Sequence, residues 1–328
     1  MDAMHEFADQ RRHAEGAALR DLKRAMARFD RLRLLKGGPT RRGLVVLLAA
    51  AFASSGCAQL AESSRAADAD PQQLVAAIGK HSVVLLGEIH DNAAQHAMRE
   101  RALRQWIEAG ARPTLLMEQF DRERQGDLDR ALAQPGVSAD AVIAAAAAPS
   151  LRPGQGWRWP LYRPYIALAI EYRLTIVAAN VSRADTRRVV GEGLQALGFD
   201  PNVPADIADA QASEIIDSHC SQLDAADAQR LVAAQVARDQ FMARMIERVA
   251  PRAAVLLAGN GHVRSDIGVP RWLTPATRRR SVAIGLLEVG ASADGMHFDV
   301  VLRTPEQPRA DPCEAMRAAP ASAATRGR

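Results

Sequence analysis

The chain has 328 residues, of which 48% are hydrophobic and 24% are charged. That length suffices for a large buried core, and that composition excludes a disordered or fibrous protein. The formal net charge is +4, but residues 1–56 hold 11 Lys or Arg and 6 Asp or Glu, a net charge of +5, which leaves −1 for the remainder. Because the positive charge is confined to the N-terminal segment, we predict no nucleic-acid partner.

The N-terminal segment has the organisation of a secretory signal. Two arginines precede the apolar stretch 43–53, which is too short to span a bilayer, and small residues then lead to Cys57. This order resembles a bacterial lipoprotein signal, although Ser54 stands where such signals usually carry Leu. We predict a leader at residues 1–56 and lipidation of Cys57. The alternative is an ordinary signal peptide with an incidental cysteine.

The predicted lipid anchor determines the expected location. Residues 57–70 are rich in Ala, Ser, Asp and Glu, which indicates a flexible tether between the membrane and the folded part. Ala58 follows the cysteine, and a residue other than Asp there is typical of lipoproteins retained in the outer membrane. We therefore expect an outer-membrane lipoprotein of the bacterial cell envelope that faces the periplasm or the cell surface.

Short apolar runs alternate with longer segments of helical periodicity along residues 71–303. The apolar runs are continuous, which is typical of strands buried on both faces. The predicted strands are 83–87, 114–118, 174–180, 253–259, 281–289 and 297–302. The predicted helices are 71–79, 93–109, 121–133, 139–148, 161–172, 183–197, 205–219 and 225–249.

This order of elements predicts an α/β fold with a largely parallel sheet flanked by helices. Most of residues 121–250 has helical periodicity, which indicates a helical excursion or subdomain within the α/β domain 71–303. In residues 304–328 Pro, Arg and Ala dominate, so this tail is predicted to be disordered.

Polar side chains follow the predicted strands at the point where each strand ends. Each one alone is also explained as a helix cap or a surface charge. However, ligands of open α/β sheets bind beyond the carboxyl ends of the strands, and two strands here end in the same Gly-x-x-His pattern. We therefore predict one shared site. Its residues are Glu88, His90, Glu118, Asn180, Asn260 and His262.

Two kinds of chemistry suit these residues. Two imidazoles and a carboxylate form a common ligand set of zinc or manganese, so His90, His262 and either Glu118 or Glu88 are candidate metal ligands. The remaining glutamate, with Glu88 as the candidate, would then be the general base of a metal-dependent hydrolase. Alternatively, the same rim of side chains holds the iron or the propionates of a haem.

Motifs in a fixed order carry a family resemblance between residues 74 and 302. They are Gly-Glu-Ile-His-Asp-Asn, Leu-Met-Glu-Gln-Phe, Ala-Ala-Asn-Val-Ser-Arg, Ser-His-Cys, Gln-Val-Ala-Arg-Asp-Gln-Phe-Met-Ala and Ala-Gly-Asn-Gly-His. The chain resembles the ChaN-like haem-binding lipoproteins, a family grouped with Tiki metalloproteases, TraB proteins and erythromycin-esterase-like enzymes. The resemblance implies an iron-regulated outer-membrane lipoprotein that binds haem as a homodimer, with a tyrosine on the iron. The Tiki-type relatives hold a metal with the residues that match His90, Glu118 and His262.

Few side chains are candidates for a tyrosine ligand of haem, because the chain has only three tyrosines. Tyr162 and Tyr165 lie beside Trp157 and Trp159, and a phenolate can bind ferric haem while the indole rings enclose the macrocycle. The alternative is that this cluster is a hydrophobic anchor under the helices. His219 is a second candidate haem ligand.

Two polar residues on predicted helices have open roles. Asp239 either orients a histidine of the site or pairs with a neighbouring arginine on the helix surface. His96 is expected at the surface or behind the primary ligands.

Two cysteines remain once Cys57 is assigned to the lipid anchor. Cys220 and Cys313 can pair in an oxidising periplasm, but the sequence does not show whether their Cα atoms are close enough. The main hypothesis is thus a lipid-anchored haem- or iron-binding protein of the cell envelope, in haem-iron acquisition rather than catalysis. The alternative is a metal-dependent hydrolase.

Overall fold

The computed structural model describes residues 71–148, 156–311 and 313–314, which all belong to one compact unit of the chain. The predicted leader, the tether and Cys57 lie outside the described residues. Within the part that the structure describes, no helix is both long enough and apolar enough to cross a bilayer.

The described strands form one sheet. They are β1 (Val83–Leu86), β2 (Thr114–Asp121), β3 (Ile176–Asn180), β4 (Ala254–Leu257), β5 (Ser281–Glu288) and β6 (Val300–Thr304). Their order in the sheet is β3-β2-β4-β1-β5-β6, and every neighbouring pair is parallel. The predicted α/β class and parallel sheet are therefore confirmed.

Ten helices accompany the sheet in the described residues. They are α1 (Pro71–Ile78), α2 (Ala93–Glu108), α3 (Gln125–Leu132), α4 (Ala139–Ala146), α5 (Trp159–Tyr172), α6 (Arg183–Glu192), α7 (Ala205–Ser218), α8 (Ala225–Val249), α9 (Asn260–Val263) and α10 (Pro275–Arg278). Three single turns of 3₁₀ helix lie at Arg122–Arg124, Leu194–Leu197 and Val269–Trp272.

The sheet is covered by helices on both faces, and strand β1 shows why its sequence is apolar throughout. Val84 and Leu86 belong to one hydrophobic core, whereas Val83 and Leu85 belong to a second core on the opposite face. All four side chains are fully buried. Because successive side chains of a strand point to opposite faces, a strand between two cores has no polar positions.

Residues 121–250, predicted to be a helical excursion or subdomain, also contribute one strand to the sheet. β3 lies within this segment and pairs with β2 in the common sheet. The long helix α8 packs against β3, β2 and β4, and Val236 and Met242 on it are fully buried in the second core. The predicted bounds of α8 agree with the structure.

The C-terminal tail also differs from the prediction of disorder from residue 304. The described residues up to 314 are held to the folded unit. Arg309 pairs with Asp91 and Glu288, and Cys313 forms a disulfide with Cys220, with their Cα atoms 5.5 Å apart. The composition of this tail indicated disorder because it contains few apolar residues. Composition does not reveal the ion pairs or the disulfide that hold the tail to the folded unit. Residues 315–328 lie outside the described residues.

Candidate functional site at the carboxyl edge of the sheet

The two Gly-x-x-His motifs follow neighbouring strands. β1 and β4 are paired in parallel, so His90 after β1 and His262 after β4 leave the sheet at the same edge. His262 lies on the single helical turn α9. Glu118 lies within β2, on the other side of β4, since β2 runs past its predicted end to Asp121. The sheet therefore brings the three predicted metal ligands to one edge.

Glu88 is the centre of a buried polar cluster. Its Oε1 accepts hydrogen bonds from the Tyr162 hydroxyl at 2.6 Å and from Nδ1 of His90 at 2.9 Å. Its Oε2 forms an ion pair with Arg99, a residue with no solvent exposure that also donates to the carbonyl of Leu86. A buried carboxylate requires such partners, because an unpaired charge in the interior is strongly destabilising. The same partners fix the position of Glu88.

His96 is buried behind this cluster, so of its two predicted positions the structure shows the one behind the primary residues of the site. Its Nδ1 lies 3.1 Å from the Tyr165 hydroxyl, and its Nε2 lies 3.2 Å from the backbone oxygen of His90. Burial lowers the pKa of His96 to about 4, so the ring is neutral at pH 7. Ala97, the next residue of α2, is exposed. Helix α2 thus presents polar side chains to the site.

A second buried cluster consists of Glu118, His262 and Asp239. Asp239 Oδ1 lies 2.6 Å from Nδ1 of His262, and Glu118 Oε1 lies 3.5 Å from Nε2 of the same ring. Burial alone would lower the pKa of His262, but the two carboxylates raise it to about 10. Burial alone would raise the pKa of Glu118, but the charge of His262 and the Gly259 N–H lower it to about 2. The imidazolium therefore lies between two carboxylates, and Asp239 orients it.

The two asparagines predicted to line the pocket have structural roles. Asn260 donates from Nδ2 to the backbone oxygen of Leu286 and accepts from its backbone N–H, so it connects the exit of β4 to β5 across β1. Gly87 is required beneath this bridge, because a Cβ there would lie 2.2 Å from Asn260 Oδ1. Asn180 accepts a hydrogen bond from the backbone N–H of Val181, the next residue.

The aromatic cluster predicted to hold a haem lies against the Glu88 cluster. The Tyr162 ring packs against Trp157, Trp159 and His96, with centroids 5.5, 6.3 and 4.8 Å away. Both Tyr162 and Tyr165 have no solvent exposure, and burial raises the pKa of both phenols. As folded, neither phenol is placed at the surface where an iron could reach it.

His90 is the imidazole of the site that faces solvent. Its side chain is 49% exposed, and its ring packs edge-on against Trp157 with centroids 4.8 Å apart. On its other side the ring lies against Gly259, where a Cβ would be 2.9 Å from His90 Cε1.

His219, the other predicted haem ligand, lies in the turn between α7 and α8. Its Nδ1 is 2.8 Å from the backbone oxygen of Ile215, within its own helix end, and the neighbouring Cys220 forms the disulfide. No group of three or more His, Cys, Asp or Glu among the described residues is arranged to hold a metal ion. A metal site at His90, Glu118 and His262 stays a prediction.

Arg99 is the residue of the Glu88 cluster that the sequence did not reveal. An arginine on a helix ordinarily indicates a solvated position, and its partner Glu88 lies eleven residues earlier on a different element. The available signal was helical spacing, since positions 96, 99 and 103 of α2 are all buried and lie on one face.

Comparisons with known proteins agree with this architecture. The family model described as haem-binding uptake, Tiki superfamily, ChaN matches residues 74–273. Among solved structures, ChaN of Campylobacter jejuni, described with cofacial haem binding, is 19% identical with a TM-score of 0.57, covering 70% of this chain and 90% of that one. The erythromycin esterase EreC is 12% identical with a TM-score of 0.40, covering 74% of this chain and 81% of that one.

A search of curated proteins finds no match. The family model covers more than half of the chain, and it spans β1 to β4 and every residue of the two buried clusters. The chain therefore belongs to the ChaN family of haem-binding uptake proteins in the Tiki superfamily.

Proposed function

We propose that this protein binds haem at the carboxyl edge of its sheet. A haem site needs a flat apolar surface for the macrocycle and a donor atom for the iron. The pairing of the half-exposed His90 ring with Trp157 supplies both at one place, and this is the observation that carries the proposal. The residues present therefore fit the group that the family implies.

Exposed arginines near this surface suit the propionates of a haem. Arg158 precedes α5 beside Trp157 and is exposed, and its charge acts on His96 behind the site. An arginine that is free to reorient can pair with a carboxylate in a bidentate manner. We assign Arg158 the role of binding a propionate group.

We further propose that the protein acts in haem-iron acquisition as a lipid-anchored protein of the cell envelope. The lipoprotein-like signal ending at Cys57 supports the anchor. The Cys220–Cys313 disulfide supports an oxidising compartment, because such bonds are rare in the bacterial cytosol. A homodimer that shares haem stays a prediction, as does attachment to the outer membrane.

The metal-dependent hydrolase remains the weaker alternative. It would use His262 with Glu118, whose Nε2 and Oε1 lie 3.5 Å apart, and Asp239 on Nδ1 is the kind of partner that orients a metal-binding histidine. However, no group of three or more His, Cys, Asp or Glu in the described part of the chain is arranged to hold a metal ion. Metal analysis of protein purified without chelator tests this alternative directly.

Titration of hemin into the purified full chain tests the haem proposal. We expect a saturable shift of the Soret band with a stoichiometry of haem to chain that is reproducible between preparations. Trp157→Leu should weaken binding because it removes the ring beside His90. Trp106→Leu is the matched control, since Trp106 is partly buried near the end of α2 at the opposite edge of the sheet. Equal binding by both variants, or no Soret shift at all, would overturn the proposal.

A further inference from the structure

The amino edge of the sheet, where the parallel strands begin, carries a concentration of positive charge. Five loops at this edge join a helix to the strand that follows it, at residues 79–82, 109–113, 173–175, 250–253 and 279–280. Together they contain six Lys or Arg and no Asp or Glu. All six of these residues are exposed. We call them the amino-edge cations: Lys80, Arg112, Arg173, Arg252, Arg279 and Arg280.

The register of the strands places the amino-edge cations in one row. Val83 of β1 pairs with Ala254 of β4 and with Ser281 of β5. Thr114 of β2 also pairs with Ala254. Each cation precedes the start of its own strand by one to three residues. Neighbouring strands lie about 4.8 Å apart, so the row from β3 to β5 extends over about 19 Å.

Two of the amino-edge cations have a structural role. Arg112 donates to the backbone oxygens of Ile107 and Ala111 at the end of α2. Arg280 donates to the backbone oxygen of Ala250 at the end of α8, and cations stabilise the C-termini of helices in this way. The other four form no hydrogen bond or ion pair through their side chains within the part of the chain that the structure describes. They are Lys80, Arg173, Arg252 and Arg279.

Three acidic side chains near this edge are engaged with other partners. Glu171 pairs with Arg104, and Glu108 accepts a hydrogen bond from Tyr172. Glu247 accepts a hydrogen bond from a threonine hydroxyl of α10 at 2.7 Å. Residues 57–328 have a net charge of −1, so without the amino-edge cations the same segment has a net charge of −7. The charges of this segment are therefore segregated, and one end of the sheet attracts anions.

We propose that the amino edge docks on an anionic phospholipid membrane. Each Lys or Arg held near such a surface raises the affinity about fivefold. A membrane is flat, so it contacts the whole row of amino-edge cations at once, while the acidic remainder of the folded unit stays away from it.

The predicted lipid anchor supports this choice of partner. Helix α1 begins at Pro71 and ends at Ile78, two residues before Lys80, and a helix of eight residues is about 12 Å long. Thirteen residues separate Cys57 from Pro71. A chain of that length reaches at most about 45 Å. An anchor at Cys57 would therefore keep the amino-edge cations at a high effective concentration near the lipid headgroups.

This docking determines the direction in which the proposed haem surface faces. The ring pair of His90 and Trp157 lies at the carboxyl edge, at the other end of the same strands. With the amino edge on the membrane, the haem surface points towards the aqueous side. The docking proposal concerns a different surface and does not depend on haem binding.

Lys80 is a natural reporter of the contact, because it is the only lysine of residues 57–328. The full chain is mixed with vesicles of phosphatidylcholine alone, or of equal parts phosphatidylcholine and phosphatidylglycerol, and treated with an amine-reactive reagent that does not cross membranes. Peptide mass spectrometry then measures the labelling of Lys80. We expect the anionic vesicles to slow this labelling several-fold and the neutral vesicles to leave it unchanged. Salt at about 1 M should remove the protection, because it shortens the Debye length to about 3 Å.

A triple substitution tests the neighbouring cations of the row. Arg173→Gln, Arg252→Gln and Arg279→Gln together should lower the affinity for anionic vesicles by about 100-fold, because each cation contributes about fivefold. Lys80 should then be labelled as fast with anionic vesicles as without them. The labelling of the wild-type chain needs no substitution, so it tests the proposal even where the triple variant does not fold.

Three arginines on the flanking helices α2 and α6 provide the matched control, since each is exposed and has no ion pair within the described residues. Arg101→Gln, Arg183→Gln and Arg187→Gln together remove the same charge and should leave Lys80 protected. Equal labelling of Lys80 with the two kinds of vesicle, or equal loss of protection in the two triple variants, would overturn the proposal. Protection by duplex DNA and not by anionic vesicles would also overturn it, and would assign the row to another polyanion.

Discussion

The hydroxyl of Tyr162 lies 2.6 Å from Oε1 of Glu88, on the same oxygen that faces the imidazole of His90. This contact joins helix α5 to the loop after β1, at the point where the chain leaves the sheet. The Tyr162 hydroxyl therefore fixes the position of a carboxylate that also contacts the exposed ring of His90.

Tyr162→Phe therefore has a predicted effect on stability. The variant loses a hydrogen bond to a buried charge, which contributes about 1.5–3 kcal/mol. We expect the free energy of unfolding in urea to fall by about that amount. Tyr172→Phe is the control, because its bond to Glu108 is longer and exposed, and we expect a change below about 0.5 kcal/mol. Equal losses in the two variants would contradict a special role for the Glu88 contact.

The difference between the predicted and observed roles of the tyrosines shows what the sequence can supply. The apolar runs predicted the strands because burial on both faces leaves no polar position, and the Gly-x-x-His repeats predicted that His90 and His262 share an edge. The sequence did not show that Tyr162 and Tyr165 point inward, because an aromatic cluster has the same composition in a core and at a binding surface.

The sequence did not reveal the buried partners of the site residues for a different reason. The ion pair of Glu88 with Arg99 depends on the crossing of β1 and α2, which no local pattern records. The sequence leaves two roles open for Asp239, and in the structure it orients His262, from which the end of α8 and strand β4 separate it in the chain.

The Glu118–His262–Asp239 cluster predicts how stability depends on pH. The folded-state pKa of His262 is raised to about 10, above its ordinary value, so its contribution is complete at low pH and is lost as pH rises through about 10. The pKa of Glu118 is lowered to about 2, so its contribution is complete above its ordinary value near 4.5 and is lost as pH falls towards 2. We expect the free energy of unfolding from these two groups to be greatest between about pH 4.5 and 6.5.

Asp239→Asn provides the measurement for this pH dependence. Without the second carboxylate, the pKa of His262 should fall, and the loss of stability at alkaline pH should begin at lower pH. Urea unfolding from pH 5 to 10, with His262 followed by NMR, checks both effects. Asp140→Asn is the control, since its ion pair with Arg163 is exposed. An unchanged pH profile in Asp239→Asn would contradict the assigned charge state.

We expect reduction of the disulfide to lower the stability of the protein and to release the C-terminal tail. Cys220 and Cys313 are 93 residues apart, and closing a loop of that length in the unfolded chain corresponds to about 4–5 kcal/mol in the chain-entropy model. We expect a dithiol reductant, or Cys313→Ser, to lower the free energy of unfolding and to expose the tail to proteolysis. Arg309→Ala with the disulfide intact should have a smaller effect on stability, because its pairs with Asp91 and Glu288 are only partly buried. Equal protease sensitivity before and after reduction would contradict this account.

Gly87→Ala is expected to destabilise the protein by disturbing the packing at the exit of β1. In Gly87→Ala the new Cβ would lie 2.2 Å from Asn260 Oδ1 and 2.8 Å from Val263 Cγ2, so the bridge over β1 has to move. We expect a loss of about 1–3 kcal/mol in urea unfolding, the range typical of overpacking in a rigid core. Gly191→Ala is the matched control, because a Cβ there meets nothing within 4 Å and lies in helix α6, where Ala favours the helix by up to about 1 kcal/mol. The two variants should thus change stability in opposite directions, and a mild effect of Gly87→Ala would show that the Asn260 bridge does not constrain the exit of β1.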